Sequence, residues 1–182
     1  MSIQRISSND LSDISQTMLL TLYMRSLESQ RTDGMISHPL YQEMVSQIDY
    51  DFSKWDNYED LQAYLAVRTL LFDQLINEFI ADNPNGCVCN IASGLGIGFT
   101  LAENSNVTWL DIDLPPVIQL RQKLIGNKKN VHAIACSVWD FDWINHIAKD
   151  TPLLIVIEGL LLYFEEADVK RLFLSLIDRL PS

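Results

Sequence analysis

Val88-Cys89-Asn90-Ile91-Ala92-Ser93-Gly94-Leu95-Gly96-Ile97-Gly98-Phe99-Thr100 is followed, after a short segment, by Val107-Thr108-Trp109-Leu110-Asp111-Ile112-Asp113. An apolar run feeds a glycine-rich turn, and a second apolar run ends in acid. That order is how a parallel α/β domain builds a nucleotide site. The glycines let backbone come close to a ligand. Asp113 follows Gly94 by 19 residues, near the ~20 expected when an acid at the end of the next strand accepts hydrogen bonds from ribose hydroxyls.

The rest of the chain repeats this pattern. Strands are expected over 87–92, 107–113, 131–137 and 152–158, the last being Pro-Leu-Leu-Ile-Val-Ile-Glu, apolar enough to be buried on both faces. Helices are expected over 98–104, from Pro115-Pro116 onward, over 143–149 with Asp142 as its cap, and after Glu165-Glu166. The last of these carries Val169, Leu172, Phe173, Leu176, Ile177 and Leu180 on one apolar face. Crossovers of this kind are right-handed and give a parallel sheet. The glycine turn, Asp113, Ser137 to Asp140 and Glu158 then share the carboxyl-end rim. Trp139, Phe141 and Trp143 there either stack on a flat ligand or cover the sheet.

Upstream, residues 1–10 are polar and expected to be loose. A helix is expected over 11–27, a loop over 29–39, a short helix over 40–47, and then an irregular aromatic and acidic stretch. A long amphipathic helix over 58–81 follows, with Leu61, Tyr64, Leu65, Leu71, Phe72, Leu75 and Phe79 as its apolar face. Arg68 falls on that same face. An inward guanidinium needs a partner: either an internal salt bridge or a ligand carboxylate, which arginine grips in bidentate fashion. The expected division is a helical cap over 1–84 and a Rossmann-like core over 85–182, together one structural domain.

The bulk numbers narrow the partners. With 182 residues, 48% of them apolar, the chain can bury a core. Thirteen Lys and Arg against 24 Asp and Glu give a net charge of −11, which disfavours nucleic acid and anionic membranes. Three cysteines fit a reducing compartment. Cys87 and Cys89 read as core residues, since no second Cys/His pair completes a metal site. No leader or bilayer-length apolar run is visible, so the cytoplasm is the expected location.

At this point Asn-Ile-Ala-Ser-Gly-Leu-Gly-Ile-Gly-Phe-Thr, Asp-Ile-Asp-Leu-Pro, Ala-Cys-Ser-Val-Trp-Asp and Ile-Glu-Gly-Leu-Leu-Leu-Tyr-Phe resemble, in order, the motifs of the leucine carboxyl methyltransferase family, including its polyketide O-methyltransferase branch. The resemblance covers nearly the whole chain. It implies an α/β, Rossmann-like class I methyltransferase fold with an N-terminal helical extension, and S-adenosyl-L-methionine as cofactor. Arg68 then matches the arginine that holds the methionine carboxylate. Gly94 and Gly96 match the turn under the cofactor, Asp113 the ribose acid, and Glu158 the glutamate near the methionyl part. Ser137 and Val138 fall beside the adenine, where relatives often carry Asp-Leu; Asp140 is a weaker candidate there. Asp111 reads as structural, and Arg25 aligns too loosely to assign.

The family's sheet has seven strands in the order 3-2-1-4-5-7-6, and this chain reaches the fourth. The parallel sheet is therefore expected to be truncated there, leaving an apolar edge. That edge could pair two copies of the chain, the chain could be a fragment, or it could be a decayed product. The expected activity is O-methylation of a carboxylate or acidic hydroxyl of a small molecule, since none of His38, His132 and His146 lies at a strand carboxyl end. No catalytic residue is assigned and no metal is expected. Two rivals remain: a non-catalytic relic that binds the cofactor or dimerises, and an NAD(P)-dependent oxidoreductase. The latter would want Gly-x-Gly-x-x-Gly, but Phe99 stands at the third position and Gly98 comes one residue early.

Overall fold

Parallel strands with helices on both sides must be apolar on both faces, and the central strand here meets that demand with alternating sides. In β3 (Cys87–Ile91) the side chain of Val88 enters one core, while Cys87, Cys89 and Ile91 enter the other. In β4 (Thr108–Asp113), Trp109 joins the first core, and Leu110 and Ile112 the second. The computed structural model describes residues 6–7 and 13–180. Most of the stretch expected to be loose, Leu11 of the first expected helix, and Pro181-Ser182 lie outside the described residues.

The sheet is completed by β5 (Val131–Ala135) and β6 (Leu153–Ile157). Its order is β5-β4-β3-β6, parallel throughout. In sequence order of these strands that is 3-2-1-4, as the resemblance implies. The fold is α/β and Rossmann-like. The register Cys87↔Leu153 through Ile91↔Ile157 leaves the outer edge of β6 unpaired among the described residues.

Ahead of the sheet come β1 (Ile6–Ser7), α1 (Asp13–Ser29), α2 (Pro39–Gln47), β2 (Ile48–Asp49) and α3 (Glu59–Asp82). β1 and β2 form a two-strand parallel pair that periodicity did not predict. It lies next to a ring cluster in which Tyr23 of α1 meets Tyr50, Phe52 and Trp55 from the stretch expected to be irregular. After the sheet's second strand, α4 (Pro115–Ile125) begins at its proline and stops at Gly126, φ +71°. After β6 comes α5 (Glu166–Arg179).

Four helix expectations need correction. α3 is rotated from its expected face: Leu65, Ala66, Thr69 and Ile76 point inward, while Tyr64, Leu71 and Leu75 are exposed. The apolar residues run round the helix, so periodicity could not choose a side. On α5 only Leu172 and Leu176 are fully buried, and Phe173 and Ile177 stand exposed. Finally, the helix expected over 143–149 is a 3₁₀ segment, Phe141–His146, as is the one expected over 98–104, Gly98–Ala102. Asp140, not Asp142, holds the cap position, and it makes no capping bond.

Candidate functional site

The carboxyl ends of all four sheet strands open into one cleft of about 710 Å³, roofed by α1 and α3. Arg68, Gly94, Gly96, Asp113, Ser137, Val138 and Glu158 all line it. The topology alone brings them together: each ends or follows a parallel strand, except Arg68, which α3 lowers from above.

The charged end of the cleft is built around Glu158. Its Oε1 accepts from Arg68 Nε at 2.7 Å and from Arg25 Nη2 at 2.6 Å. Arg25 Nε also donates to Thr69 Oγ1 at 2.8 Å. Two guanidiniums thus share one carboxylate oxygen, and the trio carries an excess positive charge. The Arg25 side chain is 7% exposed, against 21% for Arg68. The Nη groups of Arg68 have no hydrogen-bond partner among the described residues and so remain available as donors. The chain leaves Glu158 through Gly159, φ +72°, where a Cβ would stand 3.8 Å from Arg68 Nη2. Arg68 therefore has the internal salt bridge that its helix position required, with donors to spare. Behind the trio lies Asp73, one turn beyond Thr69 on α3. Burial pushes its carboxyl up to about 6; the charge of Arg25 opposes this and that of Glu158 adds to it. Tyr41 is pushed up to about 12, chiefly by burial.

The glycine bend is held from two sides. Asp113 Oδ2 accepts from the Gly94 N–H at 2.8 Å, and Oδ1 from the Leu114 N–H at 2.7 Å. Burial raises the Asp113 carboxyl above its ordinary range, while these amides and Arg121 pull the other way. Asp111 is structural, as its position mid-strand suggested. It is 1% exposed and accepts from Asn90, Trp109 and Arg121. Gly98 packs closely: a Cβ there would lie 3.1 Å from the Trp109 ring, which would have to give way slightly. Ala92, at the entrance to the bend, has φ +55°, a conformation that costs an L-residue about 1–2 kcal/mol. Ser93 lines the cleft, and its buried hydroxyl has no hydrogen-bond partner among the described residues.

At the other end, Ser137 Oγ accepts from the Trp139 N–H at 3.3 Å, and Val138 is buried beside it. Trp139 lines the cleft, packs on Phe164 with ring centroids 5.3 Å apart, and carries Arg171 over its face. Trp143 instead belongs to the core, 1% exposed. Asp140 is not among the residues lining the cleft. At the rim, Tyr163 and Thr17 join their hydroxyls at 2.9 Å, tying α1 to the segment after β6. Sequence reasoning missed Tyr163 and Thr17, and it left Arg25 unassigned.

Among known proteins, the chain is 30% identical over 173 residues to the tetracenomycin polyketide synthesis O-methyltransferase TcmP of Streptomyces glaucescens, a match covering 94% of this chain and 64% of that protein. It is 21% identical over 175 residues to the S-adenosyl-L-methionine-dependent methyltransferase dpfgK of Gibberella zeae, covering 87% of this chain and 59% of the other. The chain thus spans less than two thirds of these relatives. A solved Nostoc punctiforme chain of proposed O-methyltransferase activity superposes with a TM-score of 0.44 at 18% identity, over 88% of this chain and 45% of its own. The family model for leucine carboxyl methyltransferases matches residues 18–176, and the chain belongs to that family.

Proposed function

We propose that this chain binds S-adenosyl-L-methionine and serves the O-methylation of a carboxylate or acidic hydroxyl of a small molecule. The observation that carries the reading is the Arg25–Glu158–Arg68 trio facing the Gly94 bend within one cleft. The residues present fit a nucleoside joined to an amino acid. The spare donors of Arg68 suit a carboxylate, and Asp113 keeps lone pairs for ribose hydroxyls. Val138 and Trp139 offer apolar surface to a base. The unpartnered Ser93 hydroxyl is the kind of buried group that a polar ligand satisfies.

When bound, the cofactor supplies an electrophilic methyl group. The chain's own contribution is binding and alignment, and proximity of this kind can supply about 7–11 kcal/mol. Proton removal is not evident in the cleft. Glu158 is tied to two guanidiniums and Asp113 to two amides. No histidine lines it among the described residues. An acceptor already ionised near neutral pH needs no base, which supports the carboxylate or acidic hydroxyl.

The test is calorimetric titration of the chain with S-adenosylhomocysteine, NAD and NADP. Saturable binding of the first alone is expected. Tighter binding of a nicotinamide cofactor would refute the reading, and so would no binding of S-adenosylhomocysteine. Transfer of labelled methyl into small carboxylic acids then separates an enzyme from a relic that binds without turnover.

A further inference from the structure

One heavily bonded side chain near the cleft does not line it. Arg121 on α4 is 4% exposed. Its Nε and Nη2 donate to Asp111 Oδ2 at 3.0 and 2.6 Å, and its Nη1 donates to the carbonyls of Gly94 at 3.1 Å and Gly96 at 2.6 Å. Asp111 is in turn fixed through Oδ1, which accepts from Trp109 Nε1 at 2.8 Å and Asn90 Nδ2 at 2.9 Å. Gly94 is thus gripped at both ends of its residue: its N–H by Asp113 and its C=O by Arg121.

We propose that Arg121, anchored on Asp111, is a positioning residue that sets the shape of the glycine bend and thereby the cleft's affinity for its nucleoside ligand. The physical reason is conformational freedom. Glycine backbone holds φ and ψ loosely, and Gly94 and Gly96 would otherwise sample many states. A planar guanidinium with two carbonyls on one edge nitrogen and a carboxylate on the other fixes both peptide planes at once. Both carbonyls are engaged by Arg121 Nη1, so the peptide planes that follow Gly94 and Gly96 are set before a ligand enters. Arg121 acts through the bend and touches no ligand itself.

The proposal rests on the reading that the cleft takes S-adenosylmethionine, and the test keeps the two apart. Arg121→Met alone strands the buried Asp111 charge and is expected to lower Tm sharply. The informative protein is Arg121→Met combined with Asp111→Asn, which removes both charges and keeps an acceptor for Trp109 and Asn90. Arg121→Lys serves as the second variant, since it keeps the charge without the fork. Two quantities are measured on folded protein well below Tm: hydrogen exchange of the Gly94 amide relative to the β3 amides, and the Kd for S-adenosylhomocysteine. In both variants the Gly94 amide should exchange at least about tenfold faster while β3 stays protected, and the Kd should rise about tenfold or more. Unchanged Gly94 exchange in the double variant overturns the proposal, whatever the ligand does. If wild type does not bind, the function reading fails and Arg121 is judged on exchange alone. If wild type binds and the double variant binds equally well, only the Arg121 proposal fails.

Discussion

Replacing Asp73 by Asn should stabilise the protein at neutral pH, and the size of the effect follows from where the side chain lies. Asp73 is half-buried on α3 behind the Arg25–Glu158 pair and makes no hydrogen bond among the described residues. Burial raises its carboxyl from 3.8 to about 6; Arg25 counteracts this and Glu158 reinforces it. A folded-state value above the unfolded one means the folded protein holds the proton more tightly. The associated stability is fully present below about pH 4 and is lost as pH rises through about 6. Undiminished, a displacement from 3.8 to about 6 is worth about 3 kcal/mol. Solvent screening of a half-buried group reduces that to about 1–2 kcal/mol. Asparagine keeps the shape and carries no charge, so Asp73→Asn should gain about 1–2 kcal/mol at pH 7.5, or a few degrees in Tm. It should also flatten the slope of stability against pH between about 4 and 6. Urea unfolding of wild type and variant at pH 4.5 and 7.5 measures both, because the difference cancels the other acids. A variant that loses stability at pH 7.5 would show that Asp73 is ionised and paired with Arg25, and the reasoning would be wrong.

Three further outcomes are expected. Ala92→Gly should raise stability by about 0.5–1 kcal/mol, because relief of the left-handed φ outweighs the added chain entropy; a lower Tm would contradict it. Glu158→Gln should cost about 2–3 kcal/mol by leaving Arg25 and Arg68 facing each other without a counter-charge, and a neutral result in urea unfolding would show that the trio is solvated. Because the outer edge of β6 is unpaired among the described residues, we also propose that two copies of the chain associate there. Sedimentation should then show concentration-dependent dimers, whereas a monomer at all concentrations would remove the idea.

How far the sequence could be read depended on whether a position answers to a local rule or to a distant partner. The strands and the glycine bend answer to local rules: β-strands covered on both faces must be apolar throughout, and their carboxyl ends must meet. Gly94, Asp113 and Glu158 were therefore legible as one rim before any coordinates. The inward face of α3 was not, because Tyr64, Leu71 and Leu75 are as apolar as Leu65 and Ile76, and the neighbours it packs on, α1 and the segment after the glycine bend, decide which side is covered. Arg25 was opaque for the opposite reason: its carboxylate lies 133 residues away. Arg121 is the instructive case. It follows Val117 by four positions and precedes Leu124 by three, so helix geometry places it on the buried face of α4. Asp111 occupies a strand that is otherwise apolar. Two buried opposite charges on adjacent elements must find each other or unfold the protein, and a guanidinium has more donors than one carboxylate can accept. The surplus had to go to backbone carbonyls nearby, and the nearest backbone free of a ladder is the glycine bend.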